Sequence, residues 1–211
     1  MTSLRDKYEM RRTQMLLALA SRLEAHLHGV FDGYHRIDRI SVRAKSVDRF
    51  VAKAEKKIDG KPKYSDPLTQ IQDQLGARIV TFYKSDVDRL TAEVVKYFRH
   101  IESVQILPDS ESEFGYEGRH FVLFIPRDIF DDKIKEDESI TFFELQIKTL
   151  FQHAWSEAEH DLGYKPSTVL SSDQKKRLAF TAAQAWGADQ IFDELYRKIE
   201  SSSVKPGLLV Q

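Results

Sequence analysis

Four short segments of this chain carry residue types suited to phosphate chemistry. The first is Arg43-Ala44-Lys45-Ser46, followed by Lys53, Lys56 and Lys57. Between Arg43 and Lys63 eight basic residues stand against three acidic ones, a local charge of roughly +5 in a chain of formal net charge −1. Lys45 leaves an expected strand, and Lys53 and Lys56 share a helical face, so the cluster can converge on a polyphosphate. A planar guanidinium such as that of Arg43 can also stack on a base. The competing reading is a solvated basic helix face.

The second segment is Asp73-Gln74-Leu75-Gly76-Ala77-Arg78. A carboxylate at the start of a strand, with an arginine five residues on, can hold Mg²⁺ while the guanidinium meets phosphate; a turn aspartate with a surface salt bridge is the alternative. The third is Gly115-Tyr116-Glu117-Gly118-Arg119-His120, in which glycines let a loop approach a flat ligand and Tyr116 can stack on a base; the alternative is a hairpin turn with a packed tyrosine. The fourth is Phe143-Glu144-Leu145-Gln146-Ile147-Lys148-Thr149, where strand alternation sets Glu144, Gln146 and Lys148 on one face. If that face lines a cleft rather than facing solvent, Glu144 is a second metal-binding or basic carboxylate.

The elements that must position these groups follow from hydrophobic spacing. Residues 7–30 have helical periodicity, Ile37 to Ala44 alternates as a strand, and Ser46 to Ile58 reads as a basic-faced helix closed by Gly60-Lys61-Pro62. A strand is predicted at Gly76–Tyr83, an amphipathic helix at Asp86–His100, and strands at Glu102–Ile106, Arg119–Ile125 and Ile140–Lys148. From Thr149 the chain is helical to about Ser201, with an interruption near Gly163–Ser172. This order predicts an α/β (α+β) fold, a mixed β-sheet flanked by helices. The divisions are a helical segment over 1–36, a core over 37–165, a C-terminal helix over 166–203 and a tail over 204–211, all within one domain.

Composition narrows the rest. Without cysteine there is no disulfide framework, thiolate metal site or thiol nucleophile. Residues Met1 to Lys7 contain no apolar leader core, and the longest apolar run, Met15 to Ala20, is too short to span a bilayer. A cytoplasmic protein without membrane attachment is expected. His153, Glu157 and His160 fall at i, i+4 and i+7, but packing of their helix on the sheet is expected in preference to a metal site. Trp155, Phe180, Trp186 and Phe192 are expected in the core.

Taken together, the order RxKS, D-x₄-R, GYxxxH and ExQI[RK]T resembles the synthetase domain of RelA/SpoT homologues, over roughly Ile37 to Lys165, and QHAWSEAEHDLGYK resembles the segment that follows in small members. The resemblance implies a nucleotidyltransferase-like synthetase fold, ATP as donor and Mg²⁺ as cofactor. By position, Arg43 would stack on adenine, while Lys45 and Lys53, with Lys56 beside them, would bind the donor phosphates. Asp73 and Glu144 would organise Mg²⁺, with Glu144 also placed to deprotonate a 3′-hydroxyl. Tyr116 would stack on the acceptor base, with Arg119, His120 and Lys148 on the acceptor side, and Arg78 and Gln146 would support the reaction. The implied reaction is attack of the 3′-hydroxyl of GDP or GTP on the β-phosphorus of ATP, releasing AMP.

Three departures concern the acceptor half. Residues Ser110 to Phe114 are acidic and aromatic where the family carries lysines and an asparagine. Gly118 replaces a serine, and Lys148 replaces an arginine. Two alternatives follow: a toxic relative acting on the tRNA 3′ end or on an adenine nucleotide, with an antitoxin partner, or a catalytically silent nucleotide-binding module. A homo-oligomer joined through the C-terminal helix is a further expectation.

Overall fold

A computed structural model describes residues 2–108, 114–115, 117–130, 140–163 and 170–203. Helices α1 (Leu4–Arg11) and α2 (Leu17–Val30) run on from one another through a π-helical segment, Arg12–Leu16. Strand β1 (Ile37–Ala44) leads into α3 (Val47–Ala54), then a small hairpin of β2 (Lys57–Ile58) and β3 (Lys61–Pro62). A short α4 (Pro67–Gln70) and a 3₁₀ turn (Gln72–Gln74) precede β4 (Leu75–Thr81) and α5 (Lys84–Tyr97). The chain continues through β5 (His100–Ile106), β6 (Gly118–Phe124), β7 (Phe142–Thr149), α6 (Leu150–Gly163) and α7 (Ser172–Ser203).

Five strands form one mixed sheet in the order β1-β4-β7-β6-β5. Among the described residues only the β4–β7 pair is parallel, and the register sets Gly76 beside Glu144 and Arg78 beside Gln146. One face is apolar: Ile40, Ala77, Ile79, Leu145, Ile147 and Phe121 lie within the core with Leu19, Leu23 and Leu27 of α2 and Val87, Leu90 and Val94 of α5. Side chains such as these stabilise the fold by roughly 1.5–3 kcal/mol each when fully buried. The outer edge of β1 is not left bare, because Glu24 of α2 accepts from the Val42 amide at 2.7 Å.

The opposite face is the polar one, carrying Arg43, Gly76, Arg78, Glu144, Gln146 and His120, and α6 covers part of it. The mixed sheet flanked by helices is therefore as predicted.

Two expectations are corrected. The helix expected over Ser46–Ile58 stops at Ala54, because Asp59 and Gly60 adopt φ of 50° and 78° and turn the chain into the β2–β3 hairpin. An Asp-Gly pair with both φ positive is the favoured two-residue hairpin turn, so the signal was present in the sequence. The aromatic residues of α7 are not core: Phe180, Trp186 and Phe192 are 64%, 44% and 49% exposed. This helix docks with Ala182, Asp189 and Asp193 buried, Asp189 accepting from Thr149 Oγ1 at 2.7 Å and Asp193 from the Ser85 amide at 2.8 Å, while Phe192 stacks on Phe151 and Tyr196 on Tyr83. Among the described residues no helix is long and apolar enough to cross a membrane.

Candidate active site

The site is built first from what fixes the loop after β1. Tyr8 is fully buried, stacks on Phe50 with ring centroids 3.7 Å apart, and donates its hydroxyl to the Lys45 carbonyl at 3.0 Å. The Lys45 amide donates to the Gln74 carbonyl at 2.9 Å. Ser46 then caps α3, accepting from the Arg49 amide at 3.4 Å. With the helix start fixed, Arg49 and Lys53 fall four residues apart on its cleft side, and Lys56 follows just past its end.

Asp73 stands across from these cations, in the 3₁₀ turn that opens β4, with φ −89° and ψ 32°. Its neighbour Gln74 is buried and donates to the Leu68 and Ile71 carbonyls at 2.8 and 3.0 Å, while Arg11 donates to Gln74 and to Leu68. The turn is thus tied to α1 and α4 before its carboxylate meets any ligand. Lys45 Nζ and Lys53 Nζ both contact Asp73 Oδ2, at 2.7 and 2.9 Å. Oδ1 of the same carboxylate is buried and has no hydrogen-bond partner.

The sheet supplies the floor. Glu144 and Gln146 alternate onto the polar face of β7, and Gln146 Nε2 donates to Glu144 Oε1 at 3.0 Å. His120 Nδ1 reaches the same oxygen at 2.9 Å from β6. Burial alone would raise the Glu144 carboxyl, but the hydrogen bonds from His120 and Gln146, with the pull of His120 and Lys53, hold it down at about 2. Glu144 is therefore an anion throughout the neutral range and a weak proton acceptor.

These groups enclose a cleft of about 740 Å³ lined by Arg43, Lys45, Arg49, Lys53, Lys56, Asp73, Gly76, Glu144, Gln146 and His160, with Ala44, Ser46 and Ala52. Five lysine or arginine side chains thus surround two carboxylates. Such a cavity suits a ligand with several negative charges. Asp73 and Glu144 both line the cleft, and Mg²⁺ is commonly held by one or two carboxylates with water and phosphate oxygens completing the shell. The unpartnered Asp73 Oδ1 is the observation that fits a cation.

The structure gathers Arg43, Lys45, Lys53, Lys56, Asp73, Glu144 and Gln146 around this one cleft, with His120 bonded into its floor. Arg78 lies one step along β4, in a recess that shares Arg43, Gly76 and Gln146 with the cleft. Two other candidates lie elsewhere. Arg119 pairs in register with Ile147, on the apolar face, and its guanidinium is 4.0 Å from Asp88 of α5. Lys148 is on the cleft face but beneath α6, 2% exposed, donating to Ser156 Oγ at 3.2 Å. Burial first, and then the Arg78 charge, hold its ammonium down at about 7. Tyr116 and the acidic stretch 109–113 lie outside the described residues, as does the tail 204–211.

Residues not singled out in the sequence also shape the site. Tyr8, Arg11 and Gln74 position its two walls through contacts more than thirty residues apart in Tyr8 to Lys45 and Arg11 to Gln74, which no local pattern signals. On α6, Glu157 Oε1 accepts from Arg78 Nη1 at 2.7 Å and His153 Nδ1 lies 3.3 Å from the same nitrogen. The expected packing of this helix on the sheet is what these contacts accomplish.

With this geometry in place, residues 42–168, more than half of the chain, match the model for the region found in RelA / SpoT proteins. A curated relative, the GTP pyrophosphokinase YjbM of Bacillus subtilis (strain 168), is 26% identical over 177 residues, 81% of this chain and 77% of the relative. The fold is similar to the crystal structure of small alarmone synthetase 1 from Bacillus subtilis, with a TM-score of 0.76 and 23% identity, covering 93% of this chain and 99% of that one. It is likewise similar to a GTP pyrophosphokinase family protein from Streptococcus pneumoniae, with a TM-score of 0.75 and 22% identity over 97% of this chain and 100% of the other.

Proposed function

The chain belongs to the family defined by the RelA / SpoT region, and from that premise we propose that it is a pyrophosphokinase that moves the β,γ-pyrophosphate of ATP to the 3′-hydroxyl of GDP or GTP. The observation that carries this reading is the cleft in which Asp73 and Glu144 face Arg43, Lys45, Arg49, Lys53 and Lys56. The products are (p)ppGpp and AMP. The 3′-oxygen bonds to the β-phosphorus, the bond from that phosphorus to the α,β-bridging oxygen breaks, and the hydroxyl proton passes to solvent.

In this reading Lys45 and Lys53 release Asp73 Oδ2 and take up the donor phosphates, and Arg43, at the end of β1, meets the adenine. Glu144 accepts a hydrogen bond from the 3′-hydroxyl and aims it. A carboxylate held near pKa 2 would be a poor base for a demanding proton abstraction. A loose phosphoryl-transfer transition state asks mainly for alignment and charge stabilisation, so orientation by an anion is the fitting role. Asp73 and Glu144 would hold Mg²⁺, which supplies charge neutralisation of the phosphates. Arg78 and Gln146 support the floor on which the phosphates settle.

The second reading, transfer to a tRNA 3′ end, draws on one feature. Lys56, Lys57, Lys61 and Lys63 are all exposed and extend the cationic rim onto the β2–β3 hairpin, where a nucleic-acid backbone could lie. The deciding experiment uses ATP labelled at the γ-phosphate with Mg²⁺ and, in parallel, GDP, GTP, ATP and deacylated tRNA. Label on a guanine nucleotide with release of AMP supports the first reading. Label on tRNA or on an adenine nucleotide replaces it, and ATP binding without transfer to any acceptor leaves a nucleotide-binding module.

A further inference from the structure

Trp186 stands on the face by which α7 docks, yet it is not buried. Ala182, Trp186, Asp189 and Asp193 follow at i, i+4, i+7 and i+11, the spacing of one helical stripe. The other three are buried, whereas Trp186 keeps 44% of its surface exposed. The ring it meets is that of Phe114, edge to face, with centroids 5.8 Å apart and planes at 63°. Phe114 is itself 45% exposed. At this point α7 meets the connection between β5 and β6 rather than a strand.

That connection feeds the segment from Gly115 to His120. Pro108 and Gly115 stand side by side, because a Cβ built on Gly115 would lie 3.9 Å from Pro108 Cγ. Phe114 is thus on the returning side of a narrow neck, two residues before Tyr116. Farther along, Glu117 Oε2 is 3.9 Å from Lys84 Nζ, and the Arg119 guanidinium is 4.0 Å from Asp88, both long for an ion pair. The ring contact is therefore the fixed point of this segment on α7. The helix has anchors of its own that do not pass through Trp186: Asp189 on Thr149, Asp193 on the Ser85 amide and Tyr196 on Tyr83. Two half-exposed rings contribute less to the fold than a buried pair would. What they fix is Phe114, which ends the stretch 110–114 where this chain departs from the RelA/SpoT pattern.

We infer that Trp186 is a positioning residue for the acceptor nucleotide, holding through Phe114 the segment that carries Tyr116 toward β6. It acts on the acceptor and not on the donor, because the donor cations stand on β1 and α3 and make no contact with this loop. The inference rests on the pyrophosphokinase reading, in which Tyr116 meets the acceptor base. It gives the C-terminal helix a part in the reaction without placing any of its atoms on substrate.

The test measures initial rates of AMP release by the full chain, with GDP varied at saturating ATP and ATP varied at saturating GDP. The variants are Trp186→Ala, Trp186→Phe, Phe114→Ala and the double alanine variant. Trp186→Ala is expected to raise KM for GDP by ~3- to 10-fold, the scale of one aromatic pair. KM for ATP and the melting temperature should stay at their wild-type values. Phe114→Ala should match it, and the double variant should be no worse than either single one, as for two residues acting through one contact. Trp186→Phe keeps a ring for Phe114 to meet and should recover most of the loss. An unchanged KM for GDP, an equal rise in KM for ATP, additive losses in the double variant or no recovery in Trp186→Phe overturns the positioning role and leaves the pyrophosphokinase reading intact. If wild type releases no AMP with GDP, the guanine-nucleotide reading fails and this inference falls with it. Should Trp186→Ala not fold, Phe114→Ala carries the same expectation.

Discussion

Lys45 Nζ lies 2.7 Å from Asp73 Oδ2, an ion pair between the residue that leaves β1 and the turn that opens β4. Lys53 joins the same oxygen from α3 at 2.9 Å. One carboxylate oxygen therefore holds two cations that the proposed reaction assigns to donor phosphates. In the proposed reaction, binding of the donor would be an exchange of partners, with the lysines passing to phosphate oxygens and the carboxylate to a cation. Donor and metal binding should consequently reinforce each other.

Asp73→Asn separates these effects. It is expected to remove at least ~100-fold of turnover, as for groups that organise transition-state charge, while the chain stays folded on its Tyr8, Gln74 and Arg11 supports. In the absence of Mg²⁺, AMPCPP should bind the variant a few-fold more tightly than wild type, because its lysines are no longer engaged. Titration with and without Mg²⁺ checks this; near-full turnover would remove Asp73 from the proposed role.

Glu144→Gln is expected to abolish turnover, and His120 should act through it. In His120→Ala the Glu144 carboxyl loses its nearest donor and rises from about 2 toward the ordinary value near 4.3. Activity should then fall as pH drops through about 4 to 5, a limb that wild type lacks above pH 4. At neutral pH kcat should drop ~10-fold as the carboxylate loses its fixed aim. His120→Asn, which keeps a donor near the position of Nδ1, should restore much of both, and an unchanged acid limb in His120→Ala would argue against the coupling.

Much of the site was legible because its cations and carboxylates sit on elements with clear periods. Strand alternation placed Glu144 and Gln146 together, and helical spacing placed Lys53 with the RxKS segment. Arg119 and His120 are adjacent in a strand, so alternation allows only one of them on the cleft face; the pairing with Ile147 and Gln146 decides which. Lys148 shows the opposite limit. Its face follows from alternation, but the return of α6 over it, through Ser156, is tertiary. The Tyr8–Phe50 stack joins residues with no common local pattern, so the device that fixes Lys45 could not be read from sequence.

The burial of Lys148 has a consequence for stability. The folded chain releases this proton near pH 7, whereas an unfolded one holds it to about 10.5. Between these values the unfolded state binds more protons, so stability rises with pH and the gain is lost as pH falls through 7. Lys148→Met removes this titration. The difference in unfolding free energy between wild type and variant should change by on the order of a few kcal/mol between pH 7 and 10.5, with the variant relatively more stable at the lower pH. Denaturant titrations at several pH values check this, and a difference independent of pH would show that the ammonium is not dehydrated.

Gly76 tests whether the floor between Arg43 and Glu144 is ligand space. It pairs with both residues across the sheet, and a Cβ added there meets no atom within 4 Å, so the strand itself tolerates a side chain. A β-branched residue suits an extended backbone, and Gly76→Val should leave the melting temperature unchanged or raise it. The new methyl groups would project from the cleft face between the two functional side chains. KM for ATP should rise by at least ~10-fold, equivalent to about 1.4 kcal/mol of lost binding, with Gly76→Ala intermediate. A stable Gly76→Val enzyme with unaltered KM would place the donor elsewhere than over this floor, because no nucleotide lying there could ignore the added volume.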